Sequence, residues 1–275
     1  MLCAGVIENA MSRPHLDQMN DIQTLDDPIT PALKAHVAQI VARQRRANGV
    51  LMKAINFVGG QVEDQLRLLP DTAREQIEAG AKIALRKSYE AAHRSRGKFA
   101  GTDGAHKALS VLTGAIGGLG GLPTAIAELP VATTIIFRAV QGVAAHYGED
   151  PLAEETRAQC LAVFGAGGPG ASDDGVDTSF FGARLGLSGA AINGLISSVA
   201  PKFAAILSQK LATQAVPILG AAAGAGTNYA FTDYYVEMAH VHFALRQLAR
   251  EHDETMILDE FHKQLAATAV PVQRR

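Results

Sequence analysis

Apolar residues recur on a helical period over most of the chain, and capping signals fence the periodic stretches. Thr30 followed by Pro31 reads as an N-cap with proline at the first helical position; Leu33, Val37, Ile40 and Val41 then repeat at three and four, and Gly59-Gly60 closes the segment. Thr72-Ala-Arg-Glu75 is a capping box that opens a helix to about Ser95. Asp103 caps a segment from Ala105 that runs into a glycine cluster. Thr124 to Tyr147 reads as helical despite Pro130 and ends at Gly148, and Asp150-Pro151 with Glu154 starts another helix. Beyond a loop over 165–178, helical patterns cover 179–199, 201–215, 218–252 and 254–267, with Pro201 opening the second. No stretch alternates as a strand does. The expectation is all-α: a single compact multi-helix domain over 29–270 behind a polar N-terminal extension over 1–28.

Glycine gives the helices a particular character. Five glycines fall within 114–121, and the pairs 114/118 and 117/121 have the small-xxx-small spacing that lets backbones approach closely. Gly220 and Gly224, overlapped by Ala222 and Gly226, repeat it. Closely packed, glycine-rich helical hairpins follow, with Gly120-Gly121 to Pro123 making one turn. Neither glycine stretch is a phosphate loop. The first lacks a terminal Gly-Lys-Ser/Thr; GAGGPG at 165–170 follows a helix and is trailed by Asp173, Asp174 and Asp177, which repel phosphate.

Composition agrees with packed helices: 48% of residues are hydrophobic, much of that Ala, glycines number 27, and aromatics are only 5% with no Trp. A formal net charge of −2 gives nucleic acid no overall attraction. Cys3 and Cys160 match no metal or redox spacing, and the N-terminus lacks the basic region of a secretory signal, so a cytoplasmic location is expected. Charge is uneven. A basic patch of Lys82, Arg86, Lys87, Arg94, Arg96 and Lys98 directly precedes the charge-free stretch 108–127. A basic segment beside an apolar one is how a protein meets anionic lipid. Residues 185–201 and 211–232 are also free of charge, yet Pro123, Pro130 and Pro217 interrupt these runs, so a hairpin that touches lipid is expected rather than a set of spans.

Two groups of polar residues invite chemistry. Asn228, Tyr235 and His242 are seven apart and share a helix stripe, and Glu128 and Arg138 stand out on the apolar segment before it. A buried charge needs a partner, so these five form a candidate buried polar cluster, read either as an internally bonded core stripe or as a small-molecule site. Glu237 and His240 form a Glu-x-x-His pair, as does Glu90 with His93, but the other two carboxylate helices of a di-metal bundle are not evident. No cofactor is expected and no metal, with Glu237 and His240 as the weak alternative for one, and no nucleophilic triad can be picked out.

GAIGGLGGLPTAIAELPVATTIIFRAVQGVAAHYGED at 114–150, SFFGARLGLSGAAI at 179–192 and 200–251 resemble, in the same order, segments of the EcsC protein family. The third block carries Val216-Pro217, Gly220-Ala221, Asn228, Phe231, His242-Phe243 and Arg246; Tyr234-Tyr235 stands where many members have His-Phe. The resemblance covers about 75–252. It implies a helical protein of a family that is bacterial with some eukaryotic relatives, associated with an ABC transporter since the family is named for a protein encoded beside an exporter, and it carries over no activity or catalytic residue. Together these readings give an expectation of a non-enzymatic, membrane-associated factor that binds lipid or a transporter component. The alternative is an enzyme or ligand-binding protein built on Glu128 and His242.

Overall fold

The computed structural model describes residues 29–59, 71–94, 121–165, 189–214 and 220–267. Among the described residues the chain forms seven helices and no strand. They are α1 (Pro31–Gly59), α2 (Asp71–Arg94), α3 (Gly121–His146), α4 (Glu154–Val163), α5 (Gly189–Gln214), α6 (Gly220–Glu251) and α7 (Glu254–Ala267). Local chemistry explains most of the boundaries. The Thr30 hydroxyl accepts the Leu33 amide at 3.2 Å, so the predicted N-cap of α1 is made. Leu33, Val37, Ile40, Val41, Gln44 and Ala47 are then buried in helical register. At the end of α3, Gly148 takes φ +78°, which a side chain would resist; its amide bonds Ala145 O and the Glu149 amide bonds Ala144 O. This turn sets down Glu149 at a defined place, which matters below.

Three boundaries differ from expectation. Helix α5 continues through Pro201 from Gly189, so this proline sits inside one helix and does not open a second. Packing of the helix on α2, α4 and α1 outweighs the missing amide donor. Helix α3 starts at Gly121, which puts Gly121 to Pro123 in its first turn, where a proline has no intrahelical bond to lose. Asp150-Pro151 forms a turn, with Asp150 Oδ1 accepting the Leu152 amide at 2.9 Å, and α4 begins only at Glu154 behind Ala153. The expected segments from Ala105 to Gly120 and over 165–188 lie outside the described residues, apart from Gly165 itself.

Helix α1 packs on α6, α6 on α3, α3 on α2 and α2 on α5, while α5 returns to touch α1 and α4. Helices α2 and α3 run parallel: Ser88 meets Thr134 at 3.2 Å and Arg138 reaches Ala91 O at 3.0 Å, so both indices rise together. Helices α3 and α6 also run the same way, since residues 129–136 face 228–235 and Tyr147 meets His240 further along. Several of the described aromatics gather where these helices meet. Phe164, just past α4, stands 6.2 Å from Phe137 of α3, 5.2 Å from Phe203 of α5 and 5.0 Å from Tyr235 of α6. Such contacts add to the burial of each ring.

Close backbone approach occurs at Gly165, where an added Cβ would lie 3.2 Å from Ala162 O and 3.2 Å from Val199 Cγ2. At Gly226, part of the predicted small-residue stripe, a Cβ would meet nothing within 4 Å. That glycine is exposed, so no crossing among the described residues passes over it. The helix over Ala190–Ser208 is long and apolar enough to cross a membrane, with mean hydropathy 1.5, but 50% of the window is buried in the bundle. Its outward positions include Asn193, Ser197, Ser198 and Lys202, which suits a core helix with a wet face.

Candidate functional site

The stripe of α6 is buried throughout, but its members serve different neighbours. Asn228 and Tyr235 line one cavity with Leu129 and Thr133 of α3, Phe203 of α5 and Thr232. Its volume is about 10 Å³, room for about one water. The Tyr235 hydroxyl is buried and finds no hydrogen-bond partner among the described residues. Burial, with Tyr234 adding to it, raises its pKa well above the ordinary phenol value, so the group is neutral. Thr133 and Thr232, both buried, complete the polar lining. Sequence reading passed over them, because a threonine inside an apolar helix is unremarkable by spacing alone.

His242 lies elsewhere. Its Nε2 is 2.9 Å from Oε1 of Gln159 on α4; with that oxygen accepting, Nε2 carries the proton. Burial, aided by the Arg246 charge, holds its pKa down at about 3, so the imidazole is neutral across the physiological range. One turn on, Arg246 donates Nε to Glu149 Oε1 at 2.9 Å and Nη2 to Glu155 Oε1 at 2.5 Å. Burial pulls the guanidinium pKa down, but the hydrogen bonds and charges of Glu155 and Glu149 outweigh it and the net shift is upward. Arg250 joins through Glu149 Oε1 and through Tyr147 O, the latter at 3.0 Å. His242, Arg246 and Arg250 thus clamp α4 and the turn before it onto α6.

The four described members of the five-residue cluster therefore do not share one cavity. Asn228 and Tyr235 share the cavity, His242 belongs to the clamp, and Arg138 points away toward α2, donating to Ala91 O. Helical geometry separates them: Arg138 is exposed to the α2 side of α3, whereas the cavity is on the α6 side. Glu128 lies on α3 beside Leu129, but its side chain is outside the described set.

Of the basic patch, Lys82, Arg86 and Lys87 are described. Lys82 pairs with Glu78 at 2.8 Å and Arg86 donates to Asn193 of α5 at 3.2 Å, so part of the charge is engaged within the fold. The side chains of Arg94, Arg96 and Lys98 lie outside the described set, as does that of His93. Beside the described cations Ile83 is 53% exposed, and on α3 Val131 is 54% exposed. Glu237 is held by Arg43 of α1 at 2.6 Å, while His240 Nδ1 faces the Tyr147 hydroxyl at 3.3 Å. Their side chains turn to different partners rather than to a shared ion. Among the described residues no three His, Cys, Asp or Glu groups gather closely enough for a metal. Cys160 is wholly buried, and burial raises its thiol pKa, which leaves it unreactive.

The arrangement defines a helical domain whose last long helix is clamped to a short one by a buried His-Gln bond and a shared arginine-carboxylate network. The family model of the EcsC protein family matches residues 15–174 and 186–248, and the chain belongs to that family. The match begins well before residue 75, taking in α1 and part of the polar extension. No curated protein and no solved structure matches the chain. His242 and Arg246, two of the residues that carry the resemblance, lie on the α6 side of the clamp.

Proposed function

We propose that this EcsC-family protein is a non-enzymatic factor that works at the cytoplasmic face of a membrane, binding anionic lipid through the outer surface of α2 and α3. The observation that carries the reading is the exposure of Ile83 and Val131 on two helices packed together, with Arg86 and Lys87 following Ile83 by three and four residues. Ile83 lies five residues before Ser88 and Val131 three before its partner Thr134, so the two sit within about 3 Å of the same height. An apolar pair rimmed by cations suits the boundary between headgroups and acyl chains.

Magnitude limits what this face does alone. Burying the exposed half of each side chain contributes about 1 kcal/mol, and each cation near an anionic surface about 1 kcal/mol. The described part then totals about 4 kcal/mol, a millimolar interaction. Arg94, Arg96 and Lys98 continue the run and add about 1 kcal/mol each, bringing the affinity into the micromolar to tens-of-micromolar range. More than half of that is electrostatic and is screened by salt.

Sedimentation with phosphatidylglycerol–phosphatidylcholine vesicles tests it. Binding is expected at about 0.1 M salt and is lost near 1 M, where the Debye length falls to about 3 Å. Absence of binding, or binding indifferent to salt, overturns the reading and assigns the face to a protein partner such as a transporter component.

A further inference from the structure

Arg157 of α4 is 5% exposed, yet no carboxylate among the described residues forms an ion pair with it, and its buried Nε has no acceptor. Its guanidinium carbon lies 4.6 Å from the centre of the Tyr89 ring on α2. The Tyr89 hydroxyl is itself a buried oxygen without a hydrogen-bond partner among the described residues. Glu154 is near enough to raise the Tyr89 pKa, behind burial as the larger cause and against the lowering effect of Arg157, but it does not pair with Arg157. The phenol therefore stays protonated and available as a donor.

A guanidinium withdrawn from water is stable only when its charge and its N–H groups are answered. An aromatic face answers the charge in part and the N–H groups hardly at all. Among the described residues, no carboxylate answers the Arg157 guanidinium at the junction of α2, α3 and α4. We propose that Arg157, with Tyr89 beside it, is a receptor for an oxyanion of the phosphate class. The planar guanidinium presents two parallel donors to such a group, and the phenol hydroxyl supplies a third. The phosphate is either free or the headgroup of a lipid. The site stands apart from the membrane reading, because it rests on the α2–α4 contact and not on Ile83 or Val131.

Thermal unfolding of the full chain tests the proposal. The probes are inorganic phosphate and a soluble short-chain phosphatidylglycerol, each against chloride at equal ionic strength. Phosphate at about ten times its dissociation constant is expected to raise Tm by about 3–6 °C. Arg157→Met removes the uncompensated charge, so it is expected to raise Tm in chloride and to abolish the response to both probes. Tyr89→Phe is expected to fold and to weaken the phosphate titration several-fold. A rise with phosphate alone supports a free oxyanion; a rise with the lipid supports a headgroup. No rise with either probe, or a rise that survives Arg157→Met, overturns the proposal. The first of these, joined to a lower Tm in a variant with Asp173, Asp174 and Asp177 changed to Asn, would assign the counter-charge to the chain itself. Should Arg157→Met fail to fold, Arg157→Lys carries the same test, because a point charge loses the two-donor geometry and an unchanged titration overturns the proposal.

Discussion

Arg246→Met and Glu149→Gln, combined in a double-mutant cycle, isolate the ion pair that ties α6 to the turn before α4. The two side chains are 14% and 10% exposed and 2.9 Å apart, so water screens them little. A charge-assisted bond in such a setting contributes about 1.5–3 kcal/mol. The second bond of Arg246, to Glu155, is shorter at 2.5 Å, but Glu155 is 49% exposed, which limits it to about 0.2–1 kcal/mol. Arg250 remains on Glu149 when Arg246 is lost, so the carboxylate is not orphaned. Arg246→Met is therefore expected to cost about 2–4 kcal/mol, or about 4–16 °C in Tm for a chain of this size. Urea unfolding followed by far-UV circular dichroism gives the four free energies, and a coupling energy of about 1.5–3 kcal/mol is expected between the two sites. A coupling below about 0.5 kcal/mol would refute the idea that this pair fastens α4.

Two further outcomes follow from buried groups. His242 is held neutral in the fold with a pKa of about 3 against about 6.5 when unfolded, so the unfolded chain binds the extra proton between those values. Its contribution is fully present above about pH 6.5 and declines as pH falls, by at most about 1.4 kcal/mol per unit; His242→Gln should flatten that slope in urea titrations, and an unchanged slope would count against a buried neutral imidazole. Tyr235→Phe removes a hydroxyl that has no described partner and is expected to be neutral or to stabilise by up to about 1 kcal/mol. A loss above about 1 kcal/mol would mean that the small cavity holds a water bonded to that hydroxyl.

Helix ends were legible because they are written in short-range chemistry: Thr30-Pro31, Gly148 and the Leu33-to-Ala47 stripe act within a turn or two of themselves. Pro201 misled because a proline reads as a start by local rules, while the packing that carries α5 through it comes from distant helices. The polar stripe of α6 was likewise visible as a period of seven, and all three members are buried. What each one faces was not visible. Asn228 and Tyr235 meet α3 and α5, whereas His242, two turns on from Tyr235, meets α4. Arg138 had no marked partner in sequence because it bonds a backbone carbonyl, a group every residue has. Arg157 carries no spacing signal of its own, and its burial against Tyr89 depends wholly on the tertiary fold.

The membrane-surface reading is tested most directly by vesicle sedimentation of the wild-type chain beside Ile83→Asp and Leu152→Asp. Leu152 is 49% exposed at the turn before α4 and serves as an apolar control away from the α2 cations. The account predicts salt-sensitive binding of wild type to anionic vesicles, loss of most of that binding in Ile83→Asp, and wild-type behaviour in Leu152→Asp. Equal binding by all three chains, or binding by none, would contradict it.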